Sequence, residues 1–306
     1  MVDNPSQPAH HRRVTPPLVR QTHAAPFGLR PTTFSWRWSF PTRAGGPVPV
    51  HVRLVRMHTR RSGARVVAAL AAVFWGLLWF GLIDLLVVVE QDEQFRQHYM
   101  FESGWGLLYL VVVAVPLVLL VIRPGDPIAL AQLVVATLAV LVGALWGLAW
   151  PQLWTGLGLA LTVGLLAWLG QPRLLRWHRP DPVLAVLAVV GLPPALAYGA
   201  PLARNTTEVE DITNGVSHYP MQASLALAVV GLVALAALTR SRLPAWTAGF
   251  SACWLGLESI FYPALNASLG RSGGALTAAW GVLVIVFAET ARRRAPEALR
   301  RSASHP

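Results

Sequence analysis

The stretch VVAALAAVFWGLLWFGLIDLLVVV, residues 66–89, carries one charge, Asp84, in a run long enough to cross a bilayer. A helix rises ~1.5 Å per residue, so about 20 apolar residues cover a hydrocarbon core of ~30 Å. Working outward, seven similar runs follow, at 104–122, 128–149, 153–170, 183–202, 221–238, 245–261 and 274–288. Backbone exposed to lipid must satisfy its own hydrogen bonds, and a barrel would alternate apolar and polar residues instead. The fold class that follows is an all-α polytopic membrane protein with about eight transmembrane helices. Composition agrees, with 13% charged residues and a mean hydropathy of +0.49, too little charge for a water-soluble surface on a chain this long.

A net charge of +11 in a soluble protein would suggest nucleic acid. Here the placement of the arginines excludes that reading. Arg60, Arg61, Arg65, Arg123, Arg173, Arg176, Arg179, Arg240, Arg242, Arg292, Arg293 and Arg294 all fall on one side of an eight-span topology. The opposite loops hold only Arg96, Arg204 and Arg271. Short arginine-rich loops stay cytoplasmic. The expectation is a multi-pass protein of the plasma membrane with both termini inside and the bilayer as its constant partner. Lysine is absent, and with so much Ala, Val and Leu this points to a GC-rich bacterial source. Cys253 is the sole cysteine, so neither an internal disulfide nor a cysteine metal cage can form.

Residues 1–56 are rich in Pro, Arg, His and Thr with no apolar period, which predicts a disordered tail. Met57, just before the first apolar run, is an alternative start. Residues 57–180 and 181–291 then form two membrane halves, and 292–306 a basic cytoplasmic tail.

The halves resemble each other. Glu90-Gln-Asp92-Glu93 precedes His98-Tyr99, and Glu208-Val-Glu210-Asp211 precedes His218-Tyr219. Val66, Ala68, Leu70, Ala71 and Val73 align with Val183, Ala185, Leu187, Ala188 and Val190, and Pro127 with Pro244. A shared order at a near-constant offset predicts a 4+4 parallel internal repeat, its halves related by a pseudo-twofold axis along the membrane normal.

Ionisable residues inside spans are costly and point to sites. Asp84 and Glu258 are candidate substrate or ion ligands lying near the outer surface, with Glu102 and Asn214 as further oxygen donors. Carboxylate plus imidazole suits a divalent transition metal, which makes His98, His218, Asp92, Glu93, Glu210 and Asp211 candidate ligands in the outer loops. Asp84 and Glu258 equally suit carboxylates reaching the headgroups, and the acidic loops equally suit what remains outside once arginine is kept inside. Pro193-Pro194 predicts a kinked or broken fifth span, and Gly143 with Gly147 a packing face.

Three functions fit these features. One is a small-solute or cation permease with an acidic outward vestibule. Another is a membrane scaffold or accessory subunit that meets a partner through its outer loops. The third, an enzyme acting on lipid or envelope substrates, has least behind it, for no serine–histidine pair, paired-aspartate motif or phosphate-binding loop occurs. A reporter fused after Pro306 should be active only in the cytoplasm; activity on the outer side would overturn the topology.

Overall fold

The computed structural model describes residues 50–90, 93–205 and 217–303, and every regular element among them is helical. Asp92, Glu210, Asp211 and Asn214, like most of the N-terminal tail, lie outside the described residues. Seven segments are long and apolar enough to cross a membrane: Thr59–Glu90, Arg96–Ile122, Pro127–Gly147, Trp150–Gly170, Pro182–Arg204, His218–Thr239 and Gly270–Ala291. Between the last two runs a 20-residue helix, Arg242–Phe261, of spanning length but richer in polar residues. Its Thr247, Ser251, Glu258 and Ser259 are buried against other helices rather than exposed to lipid, which is how a helix of mixed composition is tolerated in a bundle.

In chain order the α-helices are α1 (Val50–Val73), α2 (Gly81–Glu90), α3 (Tyr99–Gly106), α4 (Val115–Ile122), α5 (Pro127–Gly147), α6 (Trp150–Gly170), α7 (Pro182–Arg204), α8 (His218–Thr239), α9 (Arg242–Phe261) and α10 (Gly270–Ala303). Helix α1 starts inside the stretch read as tail, and α10 runs on through most of the basic C-terminal segment. Arg242 and Ser241 follow a left-handed Arg240 (φ 53°), which stops α8 and turns the chain into α9.

The first two spans are not regular helices. A π-helical turn, Phe74–Leu78, separates α1 from α2, and a longer one, Leu107–Ala114, separates α3 from α4. Between the first π turn and α2 the chain breaks at Phe80, whose φ of 65° is costly for a bulky side chain. Trp105 Nε1 donates to Trp79 O at 2.8 Å across this break. Two glycines then let the spans touch. A Cβ on Gly106 would lie 2.9 Å from both Gly81 O and Leu85 N, and one on Gly81 would lie 3.0 Å from Leu110 N.

The proline pair does not break its span. Helix α7 runs unbroken through Pro193 and Pro194. The wide ring of Trp280 packs on Gly191, and its Nε1 donates to Leu187 O at 3.1 Å. The irregular spans are instead the first and second. Only Pro116, at the start of α4, hints at this from sequence. It has no N–H to offer Val112 O, and Gln132 Nε2 from α5 donates there at 3.1 Å while also reaching Thr247 Oγ1 of α9 at 3.2 Å.

Packing sorts the spans into inner and outer. More than half of the second, third and sixth is buried, but only a third or less of the first, fourth, fifth and last. The predicted glycine face on α5 is real: a Cβ on Gly143 would collide with Ser224 Oγ, and one on Gly147 with Ala203 O. Helices α9 and α10 meet through a second, reciprocal set. Gly249 faces Gly281 O, Gly256 faces Gly274 O, and Gly281 and Gly274 face Gly249 O and Gly256 O in return.

The arginine-bearing helix ends lie together. The turn at Gly125 touches Gly170 O, Arg60 stacks on Trp168 with 5.9 Å to the ring centroid, and His178 N donates to Leu238 O at 3.0 Å. There Arg242 pairs with Glu289, which also accepts from Trp246 Nε1 at 2.9 Å. A cavity of about 350 Å³ at this end is bordered by Arg123, Asp126, Arg240 and Arg242.

The glycine seam between α9 and α10 sets a test. Gly256→Ala should lower stability by about 1–3 kcal/mol, because its Cβ meets backbone atoms that cannot rotate away. Gly164→Ala, which meets nothing within 4 Å, should be neutral or slightly stabilising. Thermal unfolding of the two variants in one detergent gives the comparison.

Candidate functional site

The close approach of Gly81 and Gly106 decides what happens one turn farther from the basic end. Asp84 follows Gly81 by one turn on α2, and Glu102 precedes Gly106 by one turn on the antiparallel α3, so the contact that joins the glycines brings the carboxyl groups together. His218, the first residue of α8, completes the group. One donor atom from each of Asp84, Glu102 and His218 lies within 4.8 Å of the others. His218 Nε2 is 3.9 Å from Glu102 Oε1. All three residues are buried, Asp84 and Glu102 at 4% exposure. Aromatic rings enclose the imidazole, with Trp105 at 5.1 Å and Phe101 at 6.3 Å between centroids.

A second polar group occupies the other flank of α3. Ser103 Oγ accepts from Trp254 Nε1 of α9 at 3.1 Å. Glu258, one turn along α9, faces Ser103, yet neither of its buried carboxylate oxygens has a hydrogen bond of ordinary geometry. Gln222 of α8 lies over Gly104, where a Cβ would overlap its amide. From there its Nε2 donates to Met100 O at 3.1 Å and to Tyr198 OH at 3.0 Å, and Tyr198 OH donates to Ala267 O at 2.8 Å. Consecutive residues of α3, Glu102 and Ser103, thus serve two buried clusters.

Both membrane carboxylates named from sequence are interior. Asp84 and Glu258 are each 4% exposed, which removes the reading in which they reach out to headgroups. They do not share one cluster: Asp84 joins Glu102 and His218, whereas Glu258 joins Ser103. Neither is paired with an arginine among the described residues. Glu102 and His218 were expected in outer loops, but α3 starts five residues ahead of the predicted span and α8 three residues ahead, and both side chains are buried in those extra turns. Glu93 is exposed and pairs with Arg96 at 3.1 Å, and His98 sits half-buried at the start of α3. Sequence reasoning missed Ser103, Tyr198 and Gln222. Gln222 had a signal available: it stands 120 residues after Glu102, as His218 stands 120 after His98.

A cleft of about 750 Å³ lies elsewhere, between α1 and α6, lined by Leu70, Phe74, Trp75, Trp79, Trp154 and Leu161 among others. It is mostly apolar and is separated from the buried clusters by aromatic rings, Trp79 on Trp105 at 6.2 Å and Trp75 on Tyr109 at 5.7 Å between centroids.

No family model matches the chain, and neither a curated protein nor a solved structure is significantly similar to it.

The position of Gln222 can be tested by a mutant cycle. Gly104→Ala should expel the amide and cost about 1–3 kcal/mol through two lost buried hydrogen bonds. In a Gln222→Ala background the same change should cost much less, read as non-additive unfolding free energies.

Proposed function

We propose that this protein is a cation permease whose ion site is the buried group Asp84, Glu102 and His218. The observation that carries the reading is the meeting of two carboxyl groups, Asp84 and Glu102, inside a membrane bundle. Two such groups cannot both stay ionised in contact without a cation between them. Membrane proteins retain buried carboxylates at this cost chiefly where ions or protons are handled. Asp84 lies six residues from the end of α2, so the site is ~9 Å below the end of its helix, shallow enough to be filled from the side opposite the arginines. Glu258 supplies a third carboxylate, on the other flank of α3.

The larger frame of this proposal is an eight-span protein of a bacterial plasma membrane, arginine-rich face and both termini cytoplasmic, built from two parallel four-helix halves. Three features support the duplication. The His-Tyr pairs open α3 and α8, the second span of each half. Within each half the first span packs on the second and the fourth, and the third on the fourth. The inner spans are the second and third of one half with the second of the other, and α9, the third of that other half, joins them through Gln132 and Thr247.

A scaffold or accessory role is the second reading. It is supported by the apolar core that fills the basic half of the bundle, where Leu117, Leu120, Leu133, Ala136, Leu232 and Val233 are fully or almost fully buried.

Flux decides between them. The purified chain in vesicles should carry at least one of H⁺, Na⁺, K⁺, Mn²⁺ or Zn²⁺ down an imposed gradient, and Asp84→Asn should reduce that flux at least tenfold. Absence of flux for every ion under gradients of both directions would overturn the permease reading.

A further inference from the structure

We infer that the ion held by Asp84, Glu102 and His218 is a divalent first-row transition metal, bound by one oxygen from each carboxylate and one imidazole nitrogen. This deepens the permease reading and rests on it only for what the metal is there to do; the binding itself stands on geometry.

Acidic residues alone would not identify a ligand. Three further observations do. First, the group is mixed. Alkali and alkaline-earth ions prefer all-oxygen shells, whereas an imidazole beside two carboxylates is the donor set of zinc, manganese, iron and cobalt. Second, Asp84 is 4% exposed and its Oδ2 makes no hydrogen bond, while the group its carboxyl does meet is a second acid, Glu102, so no positive charge faces this buried acceptor among the described residues. Third, the spacing is close to what an ion needs. Donors ~2.0–2.2 Å from a metal stand roughly 3–4 Å apart. Here the His218–Glu102 separation is 3.9 Å and the whole set falls within 4.8 Å.

The surroundings favour a held but exchangeable ion. Three protein donors leave a coordination position for water or a fourth ligand. Each donor comes from a different helix, α2, α3 and α8, so the metal ties the first span to the second and to the sixth. The rings of Trp105 and Phe101 fix the imidazole from the sides. Charge balances as well: two carboxylates and a neutral imidazole neutralise a divalent ion, giving a site with no net charge in a low-dielectric place.

The test is metal titration of the purified full-length chain, with Zn²⁺, Mn²⁺ and Co²⁺ as probes and Mg²⁺ and Ca²⁺ as controls. The N-terminal stretch carries His10 and His11, which can bind metal on their own, so the result is read as a difference between chains. Wild type should bind one more Zn²⁺ than Asp84→Asn or His218→Ala, and should give a Co²⁺ visible spectrum that both variants lose. Binding should weaken at least tenfold in Glu102→Gln and stay unchanged in Glu93→Gln. Asp84→Asn and Glu102→Gln keep side-chain shape, and their unfolding midpoints without metal report whether they fold. Should they not fold, the wild-type chain still decides, since the metal should raise its own unfolding midpoint and Mg²⁺ should not.

Equal Zn²⁺ stoichiometry in wild type and the Asp84→Asn/His218→Ala double variant would overturn the inference, as would equal binding of Mg²⁺ and Zn²⁺. The two proposals fail separately. Metal binding lost with these residues but no flux in vesicles leaves the metal site standing and removes the permease. Flux of H⁺ or Na⁺ without a metal difference does the reverse.

Discussion

Inside a hydrocarbon layer a carbonyl or carboxyl group that lacks a partner cannot turn to water, and this bundle is arranged around groups in that position. Where the first span breaks, Trp105 donates to Trp79 O. Where Pro116 withholds its N–H, Gln132 serves Val112 O. Gln222 serves Met100 O, Tyr198 serves Ala267 O, and Trp280 serves Leu187 O. Trp105 and Gln132 each serve another span where its helix is irregular, while Gln222 and Trp280 add a bond to a carbonyl within a neighbouring helix and Tyr198 holds the turn before α10. Asp84 Oδ2 and the two oxygens of Glu258 are the carboxylate oxygens among the described residues left buried without a hydrogen bond of ordinary geometry, beside the amide oxygens of Gln132, Gln152 and Gln222.

The two clusters on α3 show how little backbone is needed to place that exception. Helix α3 has eight residues, and nearly every direction it faces is used. Glu102 looks toward α2 and α8, Ser103 toward α9, and Gly104 receives Gln222. Trp105 bridges the break in the first span, and Gly106 admits α2 itself. The long π turn that follows, Leu107–Ala114, whose hydrogen bonds span five residues instead of the usual four, lets the same chain resume as a regular helix with its faces reset.

Much of this architecture was legible in the sequence. The spans followed from apolar run length, and the arginines predicted which ends would lie together, as the stacking of Arg60 on Trp168 and the pairing of Arg242 with Glu289 bear out. Gly143 and Gly147 were read as a packing face and are one. Asp84, Glu102 and His218 were all singled out, but Asp84 and Glu102 as ion ligands alongside Glu258, and His218 apart from them among the candidate metal ligands of the outer loops. Joining them required knowing that Gly81 and Gly106 oppose each other, and pairing between distant glycines leaves no local pattern. The helix extensions that bury Glu102 and His218 were invisible for a related reason: His, Tyr and Glu read as surface residues until their partners on neighbouring helices are known. The proline pair misled because backbone interruption depends on what packs against it. A large indole packs on Gly191 where α7 stays helical through its prolines, whereas the first span breaks with no proline near.

The contact between Gly81 and Gly106 has a consequence for how such a chain could diversify. It is made by backbone and Cβ atoms near Gly81 and Gly106, so the meeting place it creates one turn away does not depend on which side chains stand at 84 and 102. Replacing Asp84 or Glu102 changes the chemistry on offer and leaves the socket intact; replacing either glycine removes the socket whatever stands at 84 and 102. Descendants of this fold could therefore trade one bound species for another, or lose binding altogether, while keeping both glycines. The glycines record the architecture, and the residues one turn beyond them record its use.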